Sequence, residues 1–268
     1  MSIPSLSVTT AASTGSPSYT LLLAHHLNDV RAAQRLRYRV FAGEMGAVLH
    51  TRELDLDVDD YDEHCDHLVV REDSTGAIVG TYRMLSPQGA RRAGGLYCEN
   101  EFVIPALAGL RETLVETGRS CVHPDHRTGA VVNLVWAGIA RYMLLTGYRW
   151  LVGCASVPLC TPGAPDGAFA AGVWDTVRAR HLAPEQYRVL PRRPWNVESA
   201  RRTWGDAMAA GSKRPSLPPL LRGYLRLGAW VCGPPARDLD FGVADFLVLL
   251  TLDRVGPRYL RHFLGEAP

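Results

Sequence analysis

Apolar and polar positions along the chain switch repeatedly between strand-like alternation and helical spacing. Tyr19–Ala24 reads as a short strand. Asn28 or Asp29 then caps a helix in which Val30, Ala33, Val40 and Phe41 recur at helical spacing. Arg37 falls on the same apolar stripe, an unusual place for a cation; the plain alternative is a packed stem with its head snorkelling to water. Two strands follow, Asp66–Arg71 and Ala77–Leu85, joined by the turn tetrad Asp73-Ser74-Thr75-Gly76. Residues 86–100 read as loop, Leu114–Val122 as strand, and Ala130–Leu145 as a mostly buried helix. Trp150–Ser156 is a strand, Ala168–Arg180 a helix, Tyr187–Leu190 a short strand and Lys213–Pro219 a proline-rich connector. Leu221–Val231 and Phe246–Leu252 read as late strands, with a short helix at Arg258–Leu264. Strand–helix alternation with antiparallel hairpins points to a mixed α/β fold in one domain over 19–268, behind a disordered tail at 1–18.

Composition adds limits. The chain has 268 residues, 47% hydrophobic and 21% charged, which is ordinary for a globular protein with a sizeable core. A net charge of +2 offers no basic excess for binding nucleic acid. Lys213 is the single lysine, so the cations are almost all arginine, the residue suited to bidentate grip on carboxylate or phosphate. Six scattered cysteines without a C-x-x-C pair, and no signal-peptide pattern, point to reduced thiols and the cytoplasm. The longest apolar run, near Phe246–Leu250, is strand-sized against the roughly 20 residues a bilayer span needs, so no membrane crossing is expected.

The chemically richest stretch runs from Glu116 to Val132: a strand, then Cys121-Val-His-Pro-Asp-His-Arg-Thr-Gly-Ala130, then a helix. Such a turn aims unpaired backbone N–H groups and the helix dipole at one point, where a pyrophosphate can sit. The turn resembles the acyl-donor loop of the GNAT acyltransferase superfamily, with its Arg/Gln-x-x-Gly-x-Gly/Ala signature reduced to Arg127-Thr-Gly-Ala130. Other strings keep it company in order: Leu36-Arg-Tyr-Arg-Val-Phe41, Asp59-Asp-Tyr-Asp62, Cys65-Asp-His-Leu68, Gly80-Thr-Tyr-Arg83, Glu116-Thr-Gly-Arg-Ser-Cys-Val-His-Pro124, Gly153-Cys-Ala-Ser156 and Pro218-Pro-Leu-Leu-Arg-Gly-Tyr-Leu-Arg-Leu-Gly228. Together, over roughly residues 30–260, they resemble the hemolysin-like GNAT branch that includes L-ornithine Nα-acyltransferases, makers of lyso-ornithine lipid from 3-hydroxyacyl carrier protein. The first half is also similar to acyl-homoserine-lactone synthases.

The resemblance implies an acyl-CoA N-acyltransferase fold with a C-terminal extension and no tightly bound cofactor, the donor being an acyl carrier protein or acyl-CoA thioester. It implies Glu116 and Arg119 as catalytic, Arg37, Phe41, Asp59, Asp62 and Arg83 around the acceptor, and Val122, Arg127, Thr128, Gly129 and Ala130 around the donor. The chemistry suits these residue types. Aminolysis of a thioester needs a base for the amine and donors for the developing oxyanion. Glu116 is a carboxylate in an apolar strand, where burial favours its protonated form. Its alternative is a salt bridge with Arg119, which a regular strand would place on the opposite face and a bulge at Gly118 would bring near. Asp59 and Asp62 suit a cationic acceptor, Arg37 or Arg83 its carboxylate, whereas Asp55, Asp57 and Asp60 read as a solvated face.

Partners follow the same line. Arg91-Arg92, Arg192-Arg193 and Arg201-Arg202 suit an acidic acyl carrier protein, and Pro218–Val231 suits peripheral contact with the inner membrane face. His64, Cys65, His67, Cys121, His123 and His126 are metal-ligand types without a zinc spacing, so no metal is expected. Cys121 with His123 lacks an orienting third group, and direct attack needs no covalent intermediate. The competing activities are a lactone synthase using S-adenosylmethionine and a non-catalytic acyl-carrier or lipid-binding module, which would have no use for a base at Glu116.

Overall fold

The computed structural model describes residues 6–10, 17–127, 129–161, 167–195, 197 and 216–264, which divide into two compact units. In chain order the elements are β1 (Ser7–Thr9), β2 (Tyr19–Leu23), α1 (Leu27–Tyr38), β3 (Asp66–Glu72), β4 (Ile78–Leu85) and α2 (Pro87–Arg92). Then come β5 (Phe102–Val103), β6 (Leu114–Val122), α3 (Gly129–Thr146), β7 (Trp150–Pro158), α4 (Ala168–Arg180) and β8 (Leu190–Pro191). The last are α5 (Pro219–Arg226), β9 (Trp230–Val231), β10 (Ala236–Asp238), β11 (Val243–Thr251) and α6 (Pro257–Leu264).

The first unit takes in residues 1–95, 113–149 and 255–268. Its antiparallel ladder runs β1-β2-β3-β4-β6. Strand parity sorts the two faces. Leu21, Val70 and Gly80 face α3, which comes so close at Gly138 that a Cβ there would stand 2.6 Å from Leu21 Cδ1. Thr81, Arg83, His67 and Cys121 point to the other side, toward α1. The apolar run of α3 is long enough to cross a bilayer by length and composition, a possibility missed by looking only for unbroken apolar runs. Its inner side is spent on the sheet instead, and the hydroxyl of buried Tyr142 donates to Asp66 at 2.7 Å.

The second unit holds residues 96–112 and 150–254. Strand β11 pairs antiparallel with β7 along its full length and with β10 and β9 on its other side, while β5 pairs with β8. Its buried side chains include Ala155, Val157, Val173, Phe246 and Val248.

Four expectations need correcting. Tyr187 closes a 3₁₀ turn, Glu185–Tyr187, and the strand expected at Tyr187–Leu190 is only Leu190–Pro191. Within the tail expected to be disordered, Ser7–Thr9 pairs with β2. The loop expected at 86–100 contains α2, started by Ser86 accepting from Gly89 N–H and by Pro87 in the first turn. Leu221–Val231 is mostly helix: Leu221, Tyr224 and Leu225 sit at helical spacing and pack inward behind Pro219, leaving only Trp230–Val231 as strand. The end of the proline-rich connector that reaches Lys213, and the doublet Arg201-Arg202, lie outside the described residues.

Candidate active site

Strand β6 is where the first unit concentrates its chemistry. Thr81 faces Cys121 and Arg83 faces Gly118, so β6 holds one residue more than β4 over that interval. The bulge expected at Gly118 is therefore present, immediately after it, and Arg119 adopts φ +52°, a left-handed conformation rare for a side-chain-bearing residue. That re-aims Arg119 at the acidic loop. Its Nη2 donates to Asp59 Oδ2 at 3.2 Å and its Nε stands 3.2 Å from Asp57 Oδ2.

Arg119 is one of three arginines in a single ion network. Arg37 is 0% exposed and donates from Nε to Asp57 Oδ2 at 2.8 Å, from Nη1 and Nη2 to the two Asp62 oxygens at 2.9 and 2.7 Å, and to the Asp57 carbonyl. Arg83 Nη1 donates to Asp62 Oδ1 at 2.9 Å and also to Asp59. Gln34 Nε2 donates to Asp62 Oδ2 at 3.1 Å, and buried His67 uses Nε2 to reach the Asp62 carbonyl at 3.1 Å. Three arginines here meet three aspartates. Hydrogen bonds between the charged groups offset the desolvation that a buried ion pair suffers. Burial alone would raise the Asp62 carboxyl, but the hydrogen bonds and charge of Arg37, with Arg83, outweigh it and hold Asp62 well below the usual range. Burial lowers His67 despite the Asp62 charge, which keeps its ring neutral.

Arg37, Asp59, Asp62, Arg83 and Arg119 are thus brought together as expected, with roles that shift. The head of Arg37 does not snorkel to water, nor is it open to a substrate carboxylate, because the protein's own aspartates occupy it. Asp57, read as solvated, is buried and completes the network, while Asp55 and Asp60 are exposed. The less buried edge is formed by Asp59 and Arg119. Phe41 is buried in a π-helical turn, Arg39–Glu44, that continues α1. Glu116 is buried on β6, opposite Leu85 and two residues before Gly118, so it shares the sheet face of Arg83.

The donor turn lies at the other end of β6. A 3₁₀ turn at Pro124–His126 separates the strand from α3, whose first residues are Gly129 and Ala130; Thr128 lies outside the described residues. The Arg127 guanidinium donates to the Val122 carbonyl at 3.2 Å and clasps Glu44 through Nη1 and Nη2 at 2.6 and 2.5 Å. That pairing lowers the Glu44 carboxyl. A phosphate arriving here would compete with Glu44 for Arg127. Of the metal-type side chains, His126 meets the Tyr19 hydroxyl through Nδ1 at 3.0 Å. Burial pushes the Cys65 and Cys121 thiols up to about 12, which leaves no thiolate at neutral pH.

Comparison with known proteins adds to this geometry. A family model described as an acetyltransferase (GNAT) domain matches residues 36–137, from α1 through the donor turn into α3. An L-ornithine N(alpha)-acyltransferase of Rhizobium meliloti is 35% identical over 260 residues, covering 91% of this chain and 84% of the relative. One of Rhodobacter capsulatus is 33% identical over 249 residues, covering 90% and 93%. The chain belongs to the L-ornithine N(alpha)-acyltransferase family. As a member of that family it is an N-acyltransferase with a GNAT fold. The fold is shared with a CoA-dependent acyl-homoserine lactone synthase solved with SAM and isopentyl-CoA, at a TM-score of 0.50 and 16% identity over 90% of this chain and 85% of that one.

In this family member the second unit carries a cluster that sequence reasoning missed. Glu101, Asp238 and Asp245 bring one oxygen each within 4.8 Å of one another, the metal-ligand grouping found among the described residues. Strand parity puts Asp238, Asp245, Ser156 and Cys154 on one face. Ser156 Oγ donates to Asp245 at 2.6 Å, Cys154 Sγ to Glu101 at 3.7 Å, and the Asp240 and Phe241 N–H groups to Asp238 at 2.8 and 3.0 Å. Burial, followed by the neighbouring Asp245 carboxylate, pushes Glu101 up to about 10, so it keeps its proton at neutral pH. The available signal was Asp245, an acid inside the apolar run Val243–Thr251.

Proposed function

We propose that this N-acyltransferase moves a 3-hydroxy fatty acyl group from acyl carrier protein to the α-amine of L-ornithine, giving a lyso-ornithine lipid. The observation that carries this reading is the likeness to L-ornithine N(alpha)-acyltransferases along about nine-tenths of the chain. The site supplies the roles. Glu116 accepts the proton of the α-ammonium, the freed amine attacks the thioester carbonyl, and the carrier thiol leaves with the C–S bond electrons and a proton. Asp59, at the network's less buried edge, takes the acceptor's side-chain ammonium, and Arg119 beside it takes the carboxylate. The Val122–Ala130 turn and the N-terminus of α3 receive the phosphate of the donor's pantetheine arm. Raised cysteine thiols favour direct attack over an acyl-cysteine. Exposed Arg91-Arg92 and Arg192-Arg193 suit an acidic carrier protein at the cytoplasmic face, and no resident cofactor is needed.

The test is mass spectrometry of products after the purified protein meets 3-hydroxyacyl carrier protein, a mixture of amino acids and S-adenosylmethionine. N-acyl-ornithine as the main product is the expected result. An acyl lactone with methylthioadenosine, or carrier protein bound without product, overturns the reading.

A further inference from the structure

If the product is a lyso-lipid, it must reach a bilayer, and the segment expected to touch one does not present an apolar side: α5 buries Leu221, Tyr224 and Leu225 and shows water Arg222 and Arg226. Apolar exposure lies instead in the first unit, on the irregular stretch after α1. There Met45 is 45% exposed, Val48 59% and Leu54 88%. Leu54 follows Glu53, which Arg31 holds against α1 at 2.5 Å, and Leu27, 68% exposed, lies one turn before Arg31. The same helix side continues through Arg35 into Arg39.

Charge sorts out in the same stretch. Glu53 is consumed by Arg31 and Glu44 by Arg127, whereas exposed Arg35, Arg39 and Arg52 form no ion pair among the described residues. Asp55 is the exposed acid left over. Exposed aliphatic side chains flanked by unpaired arginines match a lipid interface, where apolar groups enter the acyl boundary and guanidiniums meet phosphates. A docking site for an acidic protein needs the arginines but not three exposed aliphatic side chains.

We propose that the solvent side of α1 and the 45–54 loop form a membrane-seating surface for anionic phospholipid, with Met45, Val48 and Leu54 entering the bilayer boundary and Arg35, Arg39 and Arg52 on lipid phosphates. This rests on the reading that the product is a lipid. The loop adjoins the donor turn through the Glu44–Arg127 clasp, so seating brings the turn that receives the acyl donor close to the bilayer.

Vesicle flotation tests it, using phosphatidylcholine vesicles with and without phosphatidylglycerol. The intact chain should float only with the anionic vesicles. Val48→Asp/Leu54→Asp and Arg35→Glu/Arg39→Glu should each weaken flotation at least tenfold, with an unchanged unfolding midpoint and unchanged turnover of soluble acyl-CoA. Arg222→Glu/Arg226→Glu should float like the unmodified chain. Undiminished flotation of Val48→Asp/Leu54→Asp, or no flotation of the intact chain, overturns the proposal. So does a rise in KM for acyl carrier protein with flotation unchanged, which would assign the surface to the carrier. Flotation is read without substrates, so product analysis separates a failure of the lipid-product reading from a failure of this surface.

Discussion

In the first unit three aspartates are packed against three arginines; in the second, three carboxylates are packed against one another. The Arg37–Arg83–Arg119 network compensates charge with charge, and its Asp62 carboxylate is held ionised. In the Glu101–Asp238–Asp245 cluster, burial and the neighbouring carboxylates raise Glu101, and the proton it keeps offsets their charge. Two solutions to the same desolvation problem should therefore fail in different ways. Removing one partner from the first strands an unpaired buried charge, while the second should respond mainly to pH.

The largest effect is expected at Arg37. Arg37→Met leaves Asp57 and Asp62 without their main partner, and denaturant unfolding should show a loss of about 3–5 kcal/mol. The network should also be acid-sensitive. Asp62 binds its proton less readily folded than unfolded, so its stabilisation is present above its ordinary value of 3.8 and lost as pH falls below it.

The second cluster should do the reverse. Glu101 has an ordinary value of 4.5 and a folded one of about 10, so the folded chain keeps a proton that the unfolded chain releases across that window. Stability then falls as pH rises from 4.5 toward 10. Glu101→Gln keeps a neutral hydrogen-bonding group and should flatten that decline, a difference of about 1 kcal/mol or more between slightly acid and alkaline buffer, read by denaturation at both. An equal decline in the variant would mean that the cluster is compensated by something other than this proton. The smallest effect is expected at the exposed clasp: Glu44→Gln should change stability by about 0–1 kcal/mol while freeing Arg127, so KM for the acyl donor should fall.

Local pattern went far with the fold and less far with the site. Leu114–Val122 and Ala168–Arg180 have the ends that the pattern indicates, because an apolar strand and a capless amphipathic run are local properties. Leu221–Val231 misleads because alternating Leu and Arg also satisfies helical spacing once Pro219 starts a turn. Resemblance picked out residues that the fold brings together, yet not their bonds. That Arg37 serves Asp57 and Asp62 depends on how a loop 20 to 25 residues away in sequence folds back, which no local pattern encodes. Asp245 was missed for the same reason, since the partners that explain a buried acid come from β7, β10 and the segment holding Glu101.

The most direct test of the catalytic assignment is single-turnover acyl transfer by Glu116→Gln, with the unfolding midpoint measured alongside. Loss of the proton acceptor with the arginine–aspartate network intact should slow transfer by about 10²–10⁴-fold while the midpoint holds. Transfer at the unmodified rate would show that Glu116 is not the base and that the proton leaves by another route.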